Sequence, residues 1–180
     1  LIGRNGSGKS TLLKIASGQL TASSGITIID GHRLHNRSLR RRFLKISYLP
    51  QKSMLPMNIK VKSLININKA FRKLTHEPLI NHILNQKVRE LSGGERRYLE
   101  VCLLICLNRK YLILDEPFTG VEPILVEKIL DILKTERNNG KGILLTDHLY
   151  RYVNRITDRS YILQDKTCSI LNEYTSSALN

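Results

Sequence analysis

Nine consecutive residues, Gly3-Arg4-Asn5-Gly6-Ser7-Gly8-Lys9-Ser10-Thr11, follow the apolar pair Leu1-Ile2 and fit the spacing G-x-x-x-x-G-K-[ST]. Their chemistry is that of a triphosphate cradle. Gly3, Gly6 and Gly8 let backbone N–H groups approach phosphate oxygens where a Cβ would intrude, and a helix opening near Lys9 would turn its positive end toward the same anion. Lys9 supplies an ammonium for the β and γ phosphates, and Ser10 a hydroxyl for Mg2+. Asn5, Ser7 and Thr11 complete the binding segment.

Further polar groups stand where secondary structure should end. The strand pattern Lys45-Ile46-Ser47-Tyr48-Leu49 delivers Pro50-Gln51, and the apolar run Tyr111-Leu112-Ile113-Leu114 delivers Asp115-Glu116. The strand Gly142 to Thr146 ends at Asp147-His148. Between them Leu91-Ser92-Gly93-Gly94-Glu95 opens a helix, with Ser92 placed to cap it. Strand ends are where α/β proteins hold polar chemistry.

The elements that must position these groups read as alternating strands and helices. Thr11 to Ala16 is a helix stopped by Ser17-Gly18, and Gly25 to Gly31 is a strand closed by an Asp-Gly turn, hence a β-hairpin element. Ser38 to Arg42 suits a short basic helix. Apolar spacing predicts two helices at Val61 to Leu74 and Leu79 to Val88, forming a small helical insert. Pro123 should start a helix that Gly140 ends. Tyr150 to Ile156 reads as helical, Tyr161 to Leu163 and Ser169 to Leu171 as short strands, and Thr175 to Asn180 as a frayed tail.

With 180 residues and 41% hydrophobic content, the chain can build one sizeable α/β domain with a small insert. Its net charge of +14 is concentrated. Between Gly31 and His76 there are 12 Lys and Arg residues and no Asp or Glu, a block that suits a solvated face or a surface meeting acidic groups. Cys102 and Cys106 lie four apart in an apolar helical run and should share a buried face; Cys168 is isolated. Neither a disulfide framework nor a metal-binding cysteine spacing is visible, which fits a reducing compartment. No apolar run reaches the roughly 18 residues needed to span a bilayer. The sequence begins in mid-strand without Met, so preceding sequence is expected.

The order of these motifs, a phosphate loop, a glutamine after a strand, LSGGE, an apolar strand ending in Asp-Glu and a histidine after the next strand, resembles the nucleotide-binding domain of ABC ATPases. The resemblance covers nearly the whole chain. It implies an α/β P-loop NTPase fold: a RecA-like core with a mostly parallel sheet, a small antiparallel β element and a shortened helical subdomain. The expected division is an ATP-binding core part at 1–51, the helical subdomain at 52–90, and the signature motif with the remaining core at 91–180. Asp115 then resembles the acid that orders Mg2+, Glu116 the general base, Gln51 the residue that ligates the metal or the attacking water, and His148 the contact to the γ-phosphate. Ser92, Gly93 and Gly94 would face the ATP of a second subunit. His32, His35, His76 and His82 fall outside these motifs and are expected at the surface.

The resemblance further implies an ATPase subunit of a transporter, cytoplasmic and peripheral on the inner face of the cell membrane. Its partners would be a second ABC ATPase subunit, identical or not, and a transmembrane permease subunit. The segment 31–76 is expected to face the permease or the anionic membrane surface. Phe118 to Ile124 and Leu145 to His148 look most like the lipopolysaccharide-export branch. A soluble ABC ATPase acting on nucleic acid or ribosomes is the alternative, though nucleic acid is not the expected partner. Glu122 departs from the family's usual Asp in the segment after Glu116. The aromatic residue that stacks on adenine in this family normally precedes the phosphate loop, outside these 180 residues.

Overall fold

The computed structural model describes residues 1–34 and 39–171. His35 and the tail Thr175 to Asn180 fall outside the described residues, as does Ser38. In chain order the elements are α1 (Lys9–Ser17), β1 (Thr27–Ile29), β2 (His32–Leu34), α2 (Leu39–Lys45), β3 (Ile46–Leu49), α3 (Val61–Ile67), a 3-10 helix (Lys69–His76) and α4 (Pro78–Ile83). A 3-10 turn (Val88–Glu90), α5 (Gly93–Cys106), β4 (Tyr111–Asp115), α6 (Pro123–Asn138), β5 (Gly142–Thr146), α7 (Tyr150–Val153), β6 (Tyr161–Gln164) and β7 (Thr167–Ile170) follow.

Strands β3, β4 and β5 form a parallel sheet in that order. Leu1 and Ile2 extend it: Leu1 N donates to Leu145 O at 2.7 Å, and Ile2 bridges Ile162 in parallel, with Leu163 N donating to Ile2 O at 2.8 Å. The start of the phosphate loop thus leaves the sheet between β5 and the β6–β7 hairpin. Because strand side chains alternate, Leu112 and Leu114 pack toward α5 and α6 while Ile113 packs with Leu13, Ile46 and Tyr48 on the α1 side. Two buried layers result, one on each face of the sheet.

Local chemistry explains the main helix ends. Ser92 Oγ accepts from Glu95 N at 3.1 Å and Glu95 Oε2 accepts from Ser92 N at 2.8 Å, a reciprocal cap that starts α5 at the signature turn. Pro123 opens α6. Cys102 and Cys106 are both buried on α5, and burial pushes the Cys102 thiol up to about 12, so it behaves as a small apolar group.

Several expectations are corrected. The helix from Val61 breaks at Asn68, whose backbone is extended and whose side chain accepts from Ala70 N, so a 3-10 helix continues instead. Pro78 holds Glu77 extended and restarts the chain as α4. That helix ends at Ile83, because Lys87 returns to bridge Lys60 and Val88 N donates to Ile59 O. The basic helix runs to Lys45, which leaves β3 beginning at Ile46, and α7 stops at Val153. Arg42, counted with the basic block, is only 3% exposed and donates to Ile15 O at 2.7 Å.

Asp30 ties the β1–β2 hairpin to the sheet by accepting from Lys45, Lys110 and Tyr111. Bonds from Lys110 first, then Lys45 and Tyr111, hold its carboxyl well below the ordinary range. A depressed acid contributes its stability above its unfolded pKa of about 4 and loses it as pH falls through the lower folded value. Asp30→Asn is therefore expected to speed amide exchange in Thr27 to Leu34 at pH 7, with the difference from the parent shrinking in strong acid.

Candidate active site

The phosphate loop joins Ile2, at the sheet, to α1. Gly8 has φ 102, a left-handed angle suited to glycine, and the helix it precedes has no side-chain cap. The first-turn N–H groups are therefore left to an anion. Gly3 is needed for closeness: a Cβ there would lie 2.5 Å from Leu163 O and 2.8 Å from Ser7 Oγ. Lys9 is 7% exposed, and its Nζ donates to Gly3 O at 2.7 Å and Arg4 O at 3.0 Å, bracing the loop with donors that a phosphate could take over. Gly3, Asn5, Gly6 and Ser7 line a cleft of about 620 Å³ together with His148, Tyr150, Gln164 and Lys166. Ser7 Oγ is buried against Gly3 and has no hydrogen-bond partner among the described residues.

Asp115 is 1% exposed at the end of β4. Its Oδ1 accepts from Thr146 Oγ1 at 2.8 Å and Ser10 Oγ at 3.2 Å, and its Oδ2 accepts from Tyr48 OH at 3.3 Å. Burial first, and then the neighbouring Asp115 charge, raise the Tyr48 phenol above its ordinary pKa, so it remains a donor to that acid. Among the described residues no three His, Cys, Asp or Glu side chains form a metal cage. A hydroxyl beside a buried carboxylate fits a hard divalent cation that takes its other ligands from phosphates and water.

Glu116 sits at φ 53, a strained angle for a non-glycine residue, with its N–H donating to Thr146 O at 2.8 Å. That turn aims the carboxylate between two groups: Gln51 Nε2 donates to Oε2 at 2.9 Å, and His148 Nε2 lies 3.0 Å from Oε1. The structure thus brings Gln51, Glu116 and His148 together from three loops. Gln51 is joined to Glu116 here, and none of its described hydrogen bonds reaches Ser10 or Asp115.

Two positioning residues were given no role by the sequence reading. Arg97, on the signature helix and 8% exposed, donates to Pro50 O at 2.8 Å, Gln51 O at 2.5 Å and Glu100 Oε2 at 3.2 Å. Asp147 accepts from Phe118 N at 2.8 Å and Leu149 N at 3.0 Å, joining the segment after Glu116 to the loop that carries His148. The signal for Arg97 was a cation at helical spacing from Leu91-Ser92-Gly93; for Asp147 it was an acid at a strand end. Ser92, Gly93 and Gly94 stand apart from the cleft, at the N-terminus of α5 against Gly120 and Glu122. His32, His76 and His82 are exposed.

A parallel sheet that feeds a glycine loop into a helix, with a buried acid on the neighbouring strand, defines a P-loop nucleotide-binding protein. The ABC transporter family model matches residues 1–119. The lipopolysaccharide export system ATP-binding protein LptB of Haemophilus influenzae is 35% identical over 181 residues, which span 91% of this chain and 73% of that protein. LptB of Escherichia coli K12 is 33% identical, again over 91% of this chain and 73% of its own length. In fold, the chain is similar to a nucleotide-free ATP-binding cassette from an ABC transporter, with TM-score 0.83, 22% identity and coverage of 99% and 82%. A dimeric cassette in a post-hydrolysis state, bound to ADP and Pi, matches with TM-score 0.80, 22% identity and coverage of 95% and 84%. The chain belongs to the ABC transporter family, as its ATP-binding, ATP-hydrolysing cassette.

Proposed function

We propose that two such cassettes close on ATP, hydrolyse it and reopen, and that this cycle drives a separate membrane-spanning permease. The observation that carries the reading is Glu116, held between Gln51 and His148 beside the Ser10–Asp115 pair. Gly3 to Thr11 bind the phosphates, with Lys9 shifting its donors from Gly3 O and Arg4 O to phosphate oxygens. Ser10 and Asp115, with Gln51 once it leaves Glu116, would hold Mg2+, whose charge offsets that of the phosphates. Glu116 accepts the proton of the attacking water, and His148 orients the carboxylate and reports the γ-phosphate. Ser92, Gly93 and Gly94 complete the ATP site of the second chain, identical or not. In this division, 1–51 and 91–180 are the ATP-binding core and 52–90 the helical subdomain.

The permease would dock in a cleft of about 540 Å³ lined by Gly18, Phe43, Tyr48, Met54, Leu104 and Arg109. Phe43 and Met54 are each 65% exposed, and the Arg109 guanidinium lies 4.1 Å from the Phe43 ring centroid. An amphipathic helix with an acidic residue matches that combination. Lys52, Lys60 and Lys62 are exposed on the segment bordering it and would meet the permease or anionic headgroups. The buried Arg42 cannot serve so.

Co-purification tests the assignment. The chain should be recovered with a polytopic membrane protein, and reversing Lys52, Lys60 and Lys62 to Glu should release it from membranes while leaving nucleotide affinity within about twofold, because those residues lie outside the phosphate cleft. Salt-sensitive recovery with RNA would favour a soluble ABC ATPase instead, and unchanged attachment of the triple variant would remove the basic face from the docking surface.

A further inference from the structure

Glu122, which stands where the resemblance leads one to expect Asp, lies against the signature turn. A Cβ built on Gly94 would lie 2.5 Å from Glu122 Oε2 and 2.8 Å from Leu125 Cδ1, so the ends of these two side chains rest directly against the signature glycine. Glu122 immediately precedes α6, yet its side chain does not cap that helix: its backbone O accepts from Leu125 N and Val126 N at 3.0 Å while the carboxylate leans onto α5. A carboxylate one methylene shorter on the same backbone would stop short of this turn. The other end of the segment is fixed by Asp147, through Phe118 N and Thr119 Oγ1. The segment from Glu116 to Glu122 is therefore tied to the His148 loop at one end and rests on the signature turn at the other.

We propose that Glu122 is a positioning residue that weakens the grip of the signature turn on a second chain's γ-phosphate, setting a higher ATP threshold for closure than a neutral residue would. Its negative charge lies against the first turn of α5, where the helix presents its positive end and where Ser92 and Gly94 would meet the phosphate. Like charges oppose each other there, and the carboxylate partly cancels the helix field.

This inference rests on the proposed ATP-driven pairing, and one experiment separates the two. In a Glu116→Gln parent, ATP-dependent dimerisation is measured by light scattering against ATP concentration, with ADP as control, at low and high salt. Glu122→Gln keeps length and packing while removing the charge. It should lower the half-saturating ATP about twofold to fivefold at low salt, the range expected for one charge at an exposed helix terminus, and the gain should shrink at high salt. Glu122→Asp, with its carboxylate withdrawn from Gly94, should fall between the two. An unchanged threshold in Glu122→Gln, or a gain insensitive to salt, would overturn the role assigned to Glu122. A parent that does not dimerise on ATP at all would overturn the pairing itself and this inference with it.

Discussion

Glu116→Gln is expected to bind ATP with near-parental affinity, to lose about 10²- to 10⁴-fold in phosphate release, and to hold two chains together on ATP. The substitution is close to isosteric. Gln51 can still donate to the amide oxygen, and the amide nitrogen can face His148 across the 3.0 Å that now separates His148 Nε2 from Oε1. What disappears is a group able to take a proton from water. Nothing in the phosphate loop changes, since Lys9, Ser10 and Asp115 keep their own partners. Single-turnover phosphate release and gel filtration with ATP or ADP measure both consequences. Multiple turnovers at the parental rate would show that another group accepts the proton, and an ATP-bound monomer would detach hydrolysis from pairing.

The parts of this site that were legible in the sequence are those whose function is local in the chain. A phosphate loop must be contiguous because successive N–H groups wrap one anion, and Ser92 and Glu95 cap α5 across three residues, so both are visible as short patterns. Asp115 and Glu116 were visible because two adjacent acids closing an apolar, buried strand are costly unless partners or a ligand satisfy them. Arg97 was not, since the carbonyls it holds at Pro50 and Gln51 lie 47 and 46 residues away and carry no side-chain signature. The helical insert was misread for a related reason. Apolar spacing runs through Asn68 and on to Val88, but Asn68 caps a new turn and the chain returns at Lys87 to bridge Lys60, and those effects override the period. Arg42 shows that charge counting alone cannot separate a solvated cation from one buried against a helix carbonyl.

Replacing Arg97 is expected to damage folding and turnover by separable routes. Burial lowers its pKa, whereas Glu100, then Asp115, Asp147 and Glu116, raise it, so this one guanidinium balances several acids of the interior. Arg97→Met would leave Glu100, 5% exposed, without its cation and the carbonyls of Pro50 and Gln51 without this donor. Breaking one side of a buried pair costs about 3–5 kcal/mol, which lowers Tm by roughly 10 °C in a chain of this size. Arg97→Lys keeps the charge but not the fork that reaches two carbonyls, so most of the turnover defect should persist. The decisive variant is Arg97→Met with Glu100→Leu. Removing both charges should restore much of the Tm, since apolar replacement of a buried pair is often neutral. Turnover should stay low, because the backbone of Gln51 is still unheld and its side chain no longer fixes Glu116. Recovery of both stability and turnover in the double variant would reduce Arg97 to packing; recovery of stability alone would make it the link by which the signature helix sets the Gln51 loop.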